Sequence, residues 1–329
     1  MTTRSVHDAL ASHTDDYAVH EQLHDVPPHE VYEVTFEGTR AVCKLDASSE
    51  GSAGLEGHIL QHVSRETSIP VPRVLAAGPD HFVAAWLDGL PGEPPAPDDP
   101  EYARRMGAGM ARLHEETPFE VTGLLAVGDG NSDGDGDSDD GSDALTVRAD
   151  DRWSDTLLAF LGRRREYLAG LDEGDLDYAD PPTFTDLADE TIAFVETHRD
   201  LFDHGVEPVL CHGNFLPDHV GFEGEHLAAV VDFEHALVGA GEYDFWRSAL
   251  PMFGPDSSAE DPARRAFREG YESVRPLPDG FDQRRRAYWA INGVSYLRSL
   301  HLQDQHGPEE TRRRAVGIFE NVRGTLDEL

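Results

Sequence analysis

Residues 209–246 read VLCHGNFLPDHVGFEGEHLAAVVDFEHALVGAGEYDFW, and the rest of the chain can be interpreted from this segment. Two short apolar runs, 209–211 and 227–231, have the length and composition of buried β-strands. A polar loop at 214–219 separates them, and the second run leads directly into the carboxylate of Asp232. This order of strand, polar loop, strand and carboxylate can hold a metal–phosphate complex against a hydroxyl acceptor, so it predicts phosphoryl transfer.

The spacing of the polar residues in this segment follows the pattern H-G-D-x-x-x-x-N, then I-D-[WF]-E-x-A, then a further Asp. The matching positions are His212-Gly213, Asp232-Phe233-Glu234, Ala236 and Asp244. This resembles the aminoglycoside phosphotransferase and choline kinase family, relatives of the protein kinases. The chain departs from the family at two positions. Asn214 stands where the family has its catalytic Asp, and His219 stands where it has the metal-binding Asn.

The resemblance implies a two-lobed, protein-kinase-like α+β fold. A small nucleotide-binding lobe would occupy residues 1–90, and a larger, mainly helical catalytic lobe residues 91–329. The cofactors implied are ATP and Mg²⁺ (or Mn²⁺), with a small-molecule substrate as phosphate acceptor. Asp232 and His219 would hold the metal. Imidazole suits Mn²⁺ or Zn²⁺ better than Mg²⁺, which prefers oxygen ligands.

Asn214 leaves two hypotheses open. Its amide oxygen can accept a hydrogen bond from the acceptor hydroxyl and position it, but cannot take the proton, and losing a general base typically costs about 10²–10⁴-fold in rate. Asp218 and His219 lie in the same loop and both accept protons, so either could substitute. We expect His212 to organise the loop rather than to react. The chain is then either an ATP-dependent phosphotransferase or a catalytically silent pseudokinase that binds nucleotide or a small molecule.

Lys44 is the only lysine among 329 residues. It lies on the second strand of a β-hairpin predicted by the alternating runs 31–36 and 40–45. An apolar strand is a costly place for a lysine unless it is paired, and arginine could serve a simple surface role. The resemblance makes Lys44 the residue that neutralises the nucleotide α- and β-phosphates, with Glu56 of a following helix as its partner. A capping or helix-dipole role for Glu56 stays open.

The remaining nucleotide contacts are predicted from the resemblance alone. Residues 69–78 and 81–89 suggest two more strands, and the adenine-binding hinge would include Ala85 within 84–86. The equivalent of the glycine-rich phosphate loop would lie near 26–31, where the chain has no glycine.

Residues 20–24 read H-E-Q-L-H, which on a helix would present two imidazoles to zinc. Pro27-Pro28 would end such a helix just after His24, and no third ligand follows in a helical context. The sequence therefore favours a solvated N-terminal helix without metal.

Residues 128–143, GDGNSDGDGDSDDGSD, are of low complexity. Part of this run matches the start of a calcium loop, but amphipathic helices do not flank it. We expect a disordered acidic insertion.

Helical periodicity predicts several helices around and after the central segment, at 157–168, 187–201, 264–274, 281–302 and 308–326. In the resembled family the C-terminal helices wall the acceptor pocket. Polar and aromatic residues of the fourth could line it, although such spacing is more typical of core: Asp282, Tyr288, Trp289, Asn292 and Tyr296.

The formal net charge of −37 reflects 64 acidic residues against 27 Lys and Arg. An acidic, lysine-poor surface predicts adaptation to a salt-filled cytoplasm, where salt screens self-repulsion. A cationic partner or simple disorder stays open. The charge argues against a nucleic-acid partner, whose phosphates it would repel.

Cys43 and Cys211 form no metal-binding spacing and indicate a reduced, cytoplasmic protein. We expect no signal peptide, because the first residues lack an apolar core. No apolar run approaches the ~18 residues that a membrane span needs.

Overall fold

The computed structural model describes residues 5–88, 96, 98–128, 144–172, 183–254 and 260–329, and it shows a mixed α+β fold. The helices are α1 (Val6–Ala11), α2 (Ala53–Glu66), α3 (Pro100–Glu116), α4 (Trp153–Asp172), α5 (Phe184–Thr197), α6 (Arg199–Asp203), α7 (Gly241–Phe253), α8 (Pro262–Glu272), α9 (Phe281–Gln303) and α10 (Pro308–Asp327). The strands are β1 (Tyr17–Val26), β2 (His29–Phe36), β3 (Thr39–Asp46), β4 (Val74–Ala77), β5 (His81–Ala85), β6 (Thr122–Val127), β7 (Leu145–Asp150), β8 (Pro208–Cys211), β9 (Val220–Glu223), β10 (His226–Val230) and β11 (Leu237–Ala240).

The N-terminal part is an antiparallel sheet in the order β1-β2-β3-β5-β4. The predicted hairpin is confirmed as β2 and β3, with Tyr32 opposite Cys43. Successive side chains of a strand point to opposite faces. Cys43 and Leu45 are therefore buried on one face in the small core that includes α1. Lys44, between them, points to the other face, where α2 lies.

The helix predicted around residues 20–24 is wrong. This segment belongs to β1, where Gln22 pairs with Tyr32 of β2. Pairing along a ten-residue strand overrides the weak local helical pattern. The H-E-x-x-H residues therefore lack the helical frame that a zinc site of this type requires. In the described ranges, neither His20 nor His24 belongs to a cluster able to hold a metal.

A second sheet, in the order β7-β6-β11-β8, was only partly predicted. The sequence interpretation missed the β6–β7 hairpin, which pairs Leu125 with Val147 and flanks the acidic run. Residues 129–143 of that run lie outside the described residues, and their disorder stays a prediction. So does the predicted lobe boundary at residue 90, because residues 89–95 are also outside.

The main core lies among the helices that follow. The helices predicted after the central segment are confirmed as α8, α9 and α10, and the helix predicted over 187–201 is divided at His198 into α5 and α6. Tyr288 and Asn292 of α9 are buried, as expected for core positions. No helix in the described part of the chain combines the length and the apolar composition needed to cross a bilayer.

Candidate active site

The loop after β8 is fixed to the first turn of α7 by Asp244. This fully buried carboxylate accepts hydrogen bonds from the backbone N–H groups of His212 and Gly213, each at 2.8 Å, and lies 3.1 Å from His114 Nε2. Gly213 has φ +77°, and a Cβ there would lie 2.2 Å from the carbonyl oxygen of His235. Only glycine fits at this position. The loop therefore has one defined course.

His212 contacts the loop through both of its ring nitrogens. Its Nε2 lies 3.0 Å from the carbonyl oxygen of Val231, and its Nδ1 accepts the N–H of Asn214 at 3.1 Å. Burial lowers the pKa of His212 to about 4, so the ring is neutral at neutral pH. Both ring nitrogens are bonded and the side chain has no exposed surface, while the organising role of His212 stays a prediction.

Asp244, His114 and Cys211 form the one group of three metal-capable side chains within the described ranges. Both Asp244 oxygens already accept backbone N–H groups. Burial raises the pKa of Cys211 well above its usual value, which keeps the thiol protonated. The group therefore supports the loop and is a poor metal site.

Lys44 joins three parts of the chain. Its Nζ lies 2.6 Å from Glu56 of α2, 2.6 Å from Asp232 and 3.8 Å from Glu234. Burial alone would lower the pKa of Lys44, but the charges of Asp232 and Glu56 raise it above its usual range. Burial would raise the pKa of Asp232, but the Lys44 charge brings it well below its usual value. Lys44 and Asp232 are therefore ionised at neutral pH, whereas burial raises the pKa of Glu56 despite the Lys44 charge.

Asp232 and His219 face each other across a gap that fits a cation. His219 Nδ1 lies 2.9 Å from the carbonyl oxygen of Asn214, so we assign the proton to Nδ1 and the lone pair to Nε2. That nitrogen lies 3.4 Å from Asp232 Oδ2. Ligand atoms at about 2.0–2.2 Å from one ion are spaced roughly 3–3.5 Å apart. Asp232 also has φ +69°, an uncommon conformation for a residue other than glycine, and it lines the cleft between β3 and the loop 214–219.

Asn214 and Asp218 border the same cleft in different ways. The Asn214 Nδ2 donates to Asp232 Oδ2 at 3.4 Å, so its amide lies at the Asp232 carboxylate. Asp218 is exposed on the 3₁₀ turn Pro217–His219 and lines the cleft wall. The structure thus brings together Lys44, Glu56, Asn214, Asp232 and His219, with Asp218 at the edge and His212 beneath.

Ala85 is positioned as the last residue of β5, but its amide is already used. The N–H of Ala85 donates to the Arg73 carbonyl at 2.9 Å, and the N–H of Trp86 donates to that of Arg40 at 2.9 Å. An adenine bound here would therefore be read by backbone groups other than these two amides.

The cleft has a volume of about 560 Å³ and contains residues that the sequence interpretation missed. His29, at the start of β2, lies with Nδ1 2.7 Å from Glu234 Oε2 and ties the β1–β2 turn to the loop after Asp232. Arg247 donates through Nε to the carbonyl oxygen of Gly213. Its position three residues after Asp244, one helical turn away, was a usable signal. His29 offered no such signal, because its partner is far away in sequence.

The model of the phosphotransferase enzyme family matches residues 29–277. The chain belongs to this family. The matched range includes Lys44, Glu56, Asn214 and Asp232. In this phosphotransferase, α1 and all of β1 lie before the matched range.

Individual relatives agree with this assignment. Homoserine kinase of Xanthobacter autotrophicus is 28% identical over 200 residues, which are 59% of this chain and 50% of that protein. The match thus spans half the length of this relative.

Among solved structures, the complex of aminoglycoside phosphotransferase APH(4)-Ia with ADP and hygromycin B has a TM-score of 0.60 at 14% identity, covering 98% of both chains. Macrolide 2'-phosphotransferase MphH from Brachybacterium faecium has a TM-score of 0.53 at 18% identity, covering 95% of both chains. At such identities the likeness shows the fold, and it confirms the predicted kinase-like α+β architecture.

Proposed function

We propose that this phosphotransferase-family protein is an ATP-dependent small-molecule kinase that transfers the γ-phosphate to a hydroxyl group. The observation that carries the proposal is the buried contact of Lys44 with both Glu56 and Asp232 at the cleft, beside Asn214 and His219. A fixed cation and a metal-facing carboxylate are the parts that phosphoryl transfer requires, because the reaction depends on positioning and charge neutralisation.

On the nucleotide side, Lys44 would bind the phosphates and Glu56 would hold the ammonium group in place. Solved relatives support a nucleotide, since aminoglycoside phosphotransferase has been crystallised with ADP and with AMP-PNP. Asp232 and His219 would hold a divalent ion, Mg²⁺ or, because of the imidazole, preferably Mn²⁺. Such an ion neutralises charge on the transferred phosphoryl group.

On the acceptor side, Asn214 would accept a hydrogen bond from the hydroxyl through its amide oxygen. The hydroxyl oxygen forms the new bond to the γ-phosphorus while the bond to the ADP oxygen breaks. The hydroxyl proton passes to Asp218, which is exposed in the same loop, or to solvent. Homoserine kinase, a relative by sequence, supports a small hydroxyl compound as acceptor.

Two free, buried cysteines fit a reducing, cytoplasmic setting.

A pseudokinase is the second candidate, and one observation favours it. The Asn214 amide nitrogen, a donor, is the group that faces Asp232, and an amide cannot take the acceptor proton. In that case the cleft would bind nucleotide or a small molecule without turnover.

A thermal-shift titration in molar KCl with ATP and Mn²⁺ or Mg²⁺ tests the nucleotide site, and Lys44→Ala is the control. A ligand bound only by the folded state at 100 times its Kd adds about 2.7 kcal/mol of stability. We expect a metal-dependent rise in Tm that Lys44→Ala abolishes. ADP release with a hydroxyl acceptor then separates kinase from pseudokinase. The absence of any shift at saturating nucleotide would refute the kinase and leave only a pseudokinase that binds another small molecule.

A further inference from the structure

A second cavity of about 470 Å³ opens beside the cleft. The two share Pro28, His29, Glu234 and His235 in their walls, so they lie next to each other with these residues between them. The second cavity is walled by α4 and α9, which contribute Arg164 and Arg298.

Arg164 is a cation without an anion. Its guanidinium lies 3.6 Å from the centre of the Phe160 ring, and Nη1 reaches the Phe160 carbonyl oxygen at 3.4 Å. Its buried Nε has no hydrogen-bond partner, and no carboxylate within the described ranges pairs with the side chain. Burial and then the charges of nearby arginines lower the pKa of Arg164 to about 9, so it remains charged at neutral pH.

Two further arginines add positive charge near Arg164. Arg247 is buried in the wall of the first cleft, and its described partners are the neutral oxygens of Gly213 and Asn292. Arg298 pairs with Glu50 and is 12% exposed. Both lie near enough to Arg164 to lower its pKa. A chain with a net charge of −37 has ample carboxylates for its arginines, yet Arg164 and Arg247 have no carboxylate partner among the described residues.

The carboxylates of the same walls are largely engaged. Glu50 is held by Arg298, and Glu234 by His29 and Lys44. Glu166 is exposed on the rim. Unpaired buried charge is costly, and an anionic group bound between the arginines would offset that cost. The guanidinium fork also matches carboxylate and phosphate geometry, which explains why arginine suits this position.

We propose that the acceptor carries an anionic group, a carboxylate or a phosphate, in addition to the hydroxyl that is phosphorylated, and that Arg164 and Arg298 bind this group. The inference rests on the proposed kinase function and narrows its substrate class. An acceptor whose only charges are positive would meet like charges in this cavity.

Matched compounds test the inference in ADP-release assays with ATP and Mn²⁺. L-Homoserine and 3-aminopropan-1-ol share a hydroxyl and an ammonium group and differ in the carboxylate. 4-Hydroxybutyrate and glycerol 3-phosphate separate the two anionic groups, with glycerol as the neutral reference. We expect turnover with an anionic compound at a KM at least tenfold lower than with its uncharged or cationic counterpart.

Arg164→Gln should raise the KM for that anionic acceptor at least tenfold while changing kcat less. Arg165→Gln is the matched control, because Arg165 is the next residue of α4 and pairs at the surface with Asp189. It should leave KM unchanged. Equal use of 3-aminopropan-1-ol and L-homoserine, or a KM insensitive to Arg164→Gln, would overturn the inference. So would a loss of the ATP-induced thermal shift in Arg164→Gln, because the arginine would then serve the nucleotide.

Thermal shift with the same compounds keeps the two proposals separable. If ATP raises Tm but no compound is phosphorylated, an anion-induced rise in Tm that Arg164→Gln removes supports the anionic site in a protein without kinase activity. If no anionic compound raises Tm with or without nucleotide, the anionic site is refuted, whereas the nucleotide site stands on the Lys44→Ala comparison.

Discussion

Asn214 occupies the position on which the proposed catalysis would depend. Its backbone is held at both ends, by His212 Nδ1 at the N–H and by His219 at the carbonyl, so the side chain is presented to the cleft at a fixed place. Geometry is therefore retained, and the loss is confined to the proton-accepting function. An amide in a rigid loop can still orient a hydroxyl, which accounts for a slow enzyme as readily as for a silent one.

Asn214→Asp should raise kcat by about 10²–10⁴-fold, because the carboxylate restores a general base. The new charge would lie near Asp232 Oδ2, now 3.4 Å from the Asn214 amide nitrogen. Repulsion between the carboxylates should lower Tm in EDTA and reduce the Mn²⁺ concentration needed for half-maximal activity. ADP release measures the effect on kcat, and thermal unfolding measures the effect on Tm. Asn214→Ala is the control, because alanine supplies neither a general base nor a negative charge. An unchanged kcat in Asn214→Asp would exclude this side chain from the acceptor site.

His212 should make stability depend on pH below neutrality. Burial lowers its folded pKa from 6.5 to about 4, so the unfolded chain binds one proton more between these values. Stability therefore falls as pH drops from 6.5 to 4, by up to about 1.4 kcal/mol per pH unit. Urea unfolding at several pH values should show a shallower slope in His212→Gln. The control is His226→Gln, because His226 is exposed. An equal slope of the free energy of unfolding against pH in the parent protein and both variants would contradict a lowered pKa of His212.

At the scale of secondary-structure elements, the sequence predicted those positions that local periodicity determines. The alternation of β3 placed Lys44 on a strand, and the helical period of α2 placed Glu56 near its start, so their contact followed once the family pattern was seen. His29, Arg164 and Arg298 could not be found in this way. They meet the cleft only because α4, α9 and the β1–β2 turn pack around it, and no short-range pattern records that packing.

The Lys44 contact should also stabilise the molecule, because it joins β3 to α2 and to the loop after β10. Lys44→Met would leave Glu56 and Asp232 without their cation in a largely buried setting, which typically costs about 3–5 kcal/mol. Arg40→Met on the same strand removes an exposed pair with Glu33, and its effect should be small. Urea unfolding in fixed KCl compares the two variants. Equal losses of the free energy of unfolding would mean that the Lys44 contact stabilises the fold no more than an exposed ion pair does.

At the scale of the whole molecule, the acidic excess does not extend to the cleft and the cavity beside it. The net charge of −37 belongs mainly to the surface, whereas the carboxylates in the walls of these two cavities are matched by Lys44 and by arginines of α4, α7 and α9. An acidic surface repels anions at long range, and concentrated salt shortens that range to a few ångströms. An anionic nucleotide or acceptor would therefore reach this cleft more readily in high salt, which links the surface charge to the proposed function.

The same charge should make stability rise with salt. Raising KCl from 0.2 to 2 M screens the self-repulsion of the folded state and should increase Tm, although exposed pairs such as Arg104–Glu269 weaken in the opposite direction. Repulsion among the excess carboxylates prevails, because most of them have no cation nearby. A variant with five exposed carboxylates neutralised should respond less: Asp15→Asn, Glu120→Gln, Asp200→Asn, Glu223→Gln and Glu225→Gln. A Tm that is flat or falls with KCl in the parent protein would refute salt adaptation and return the acidic surface to the alternative of a cationic partner.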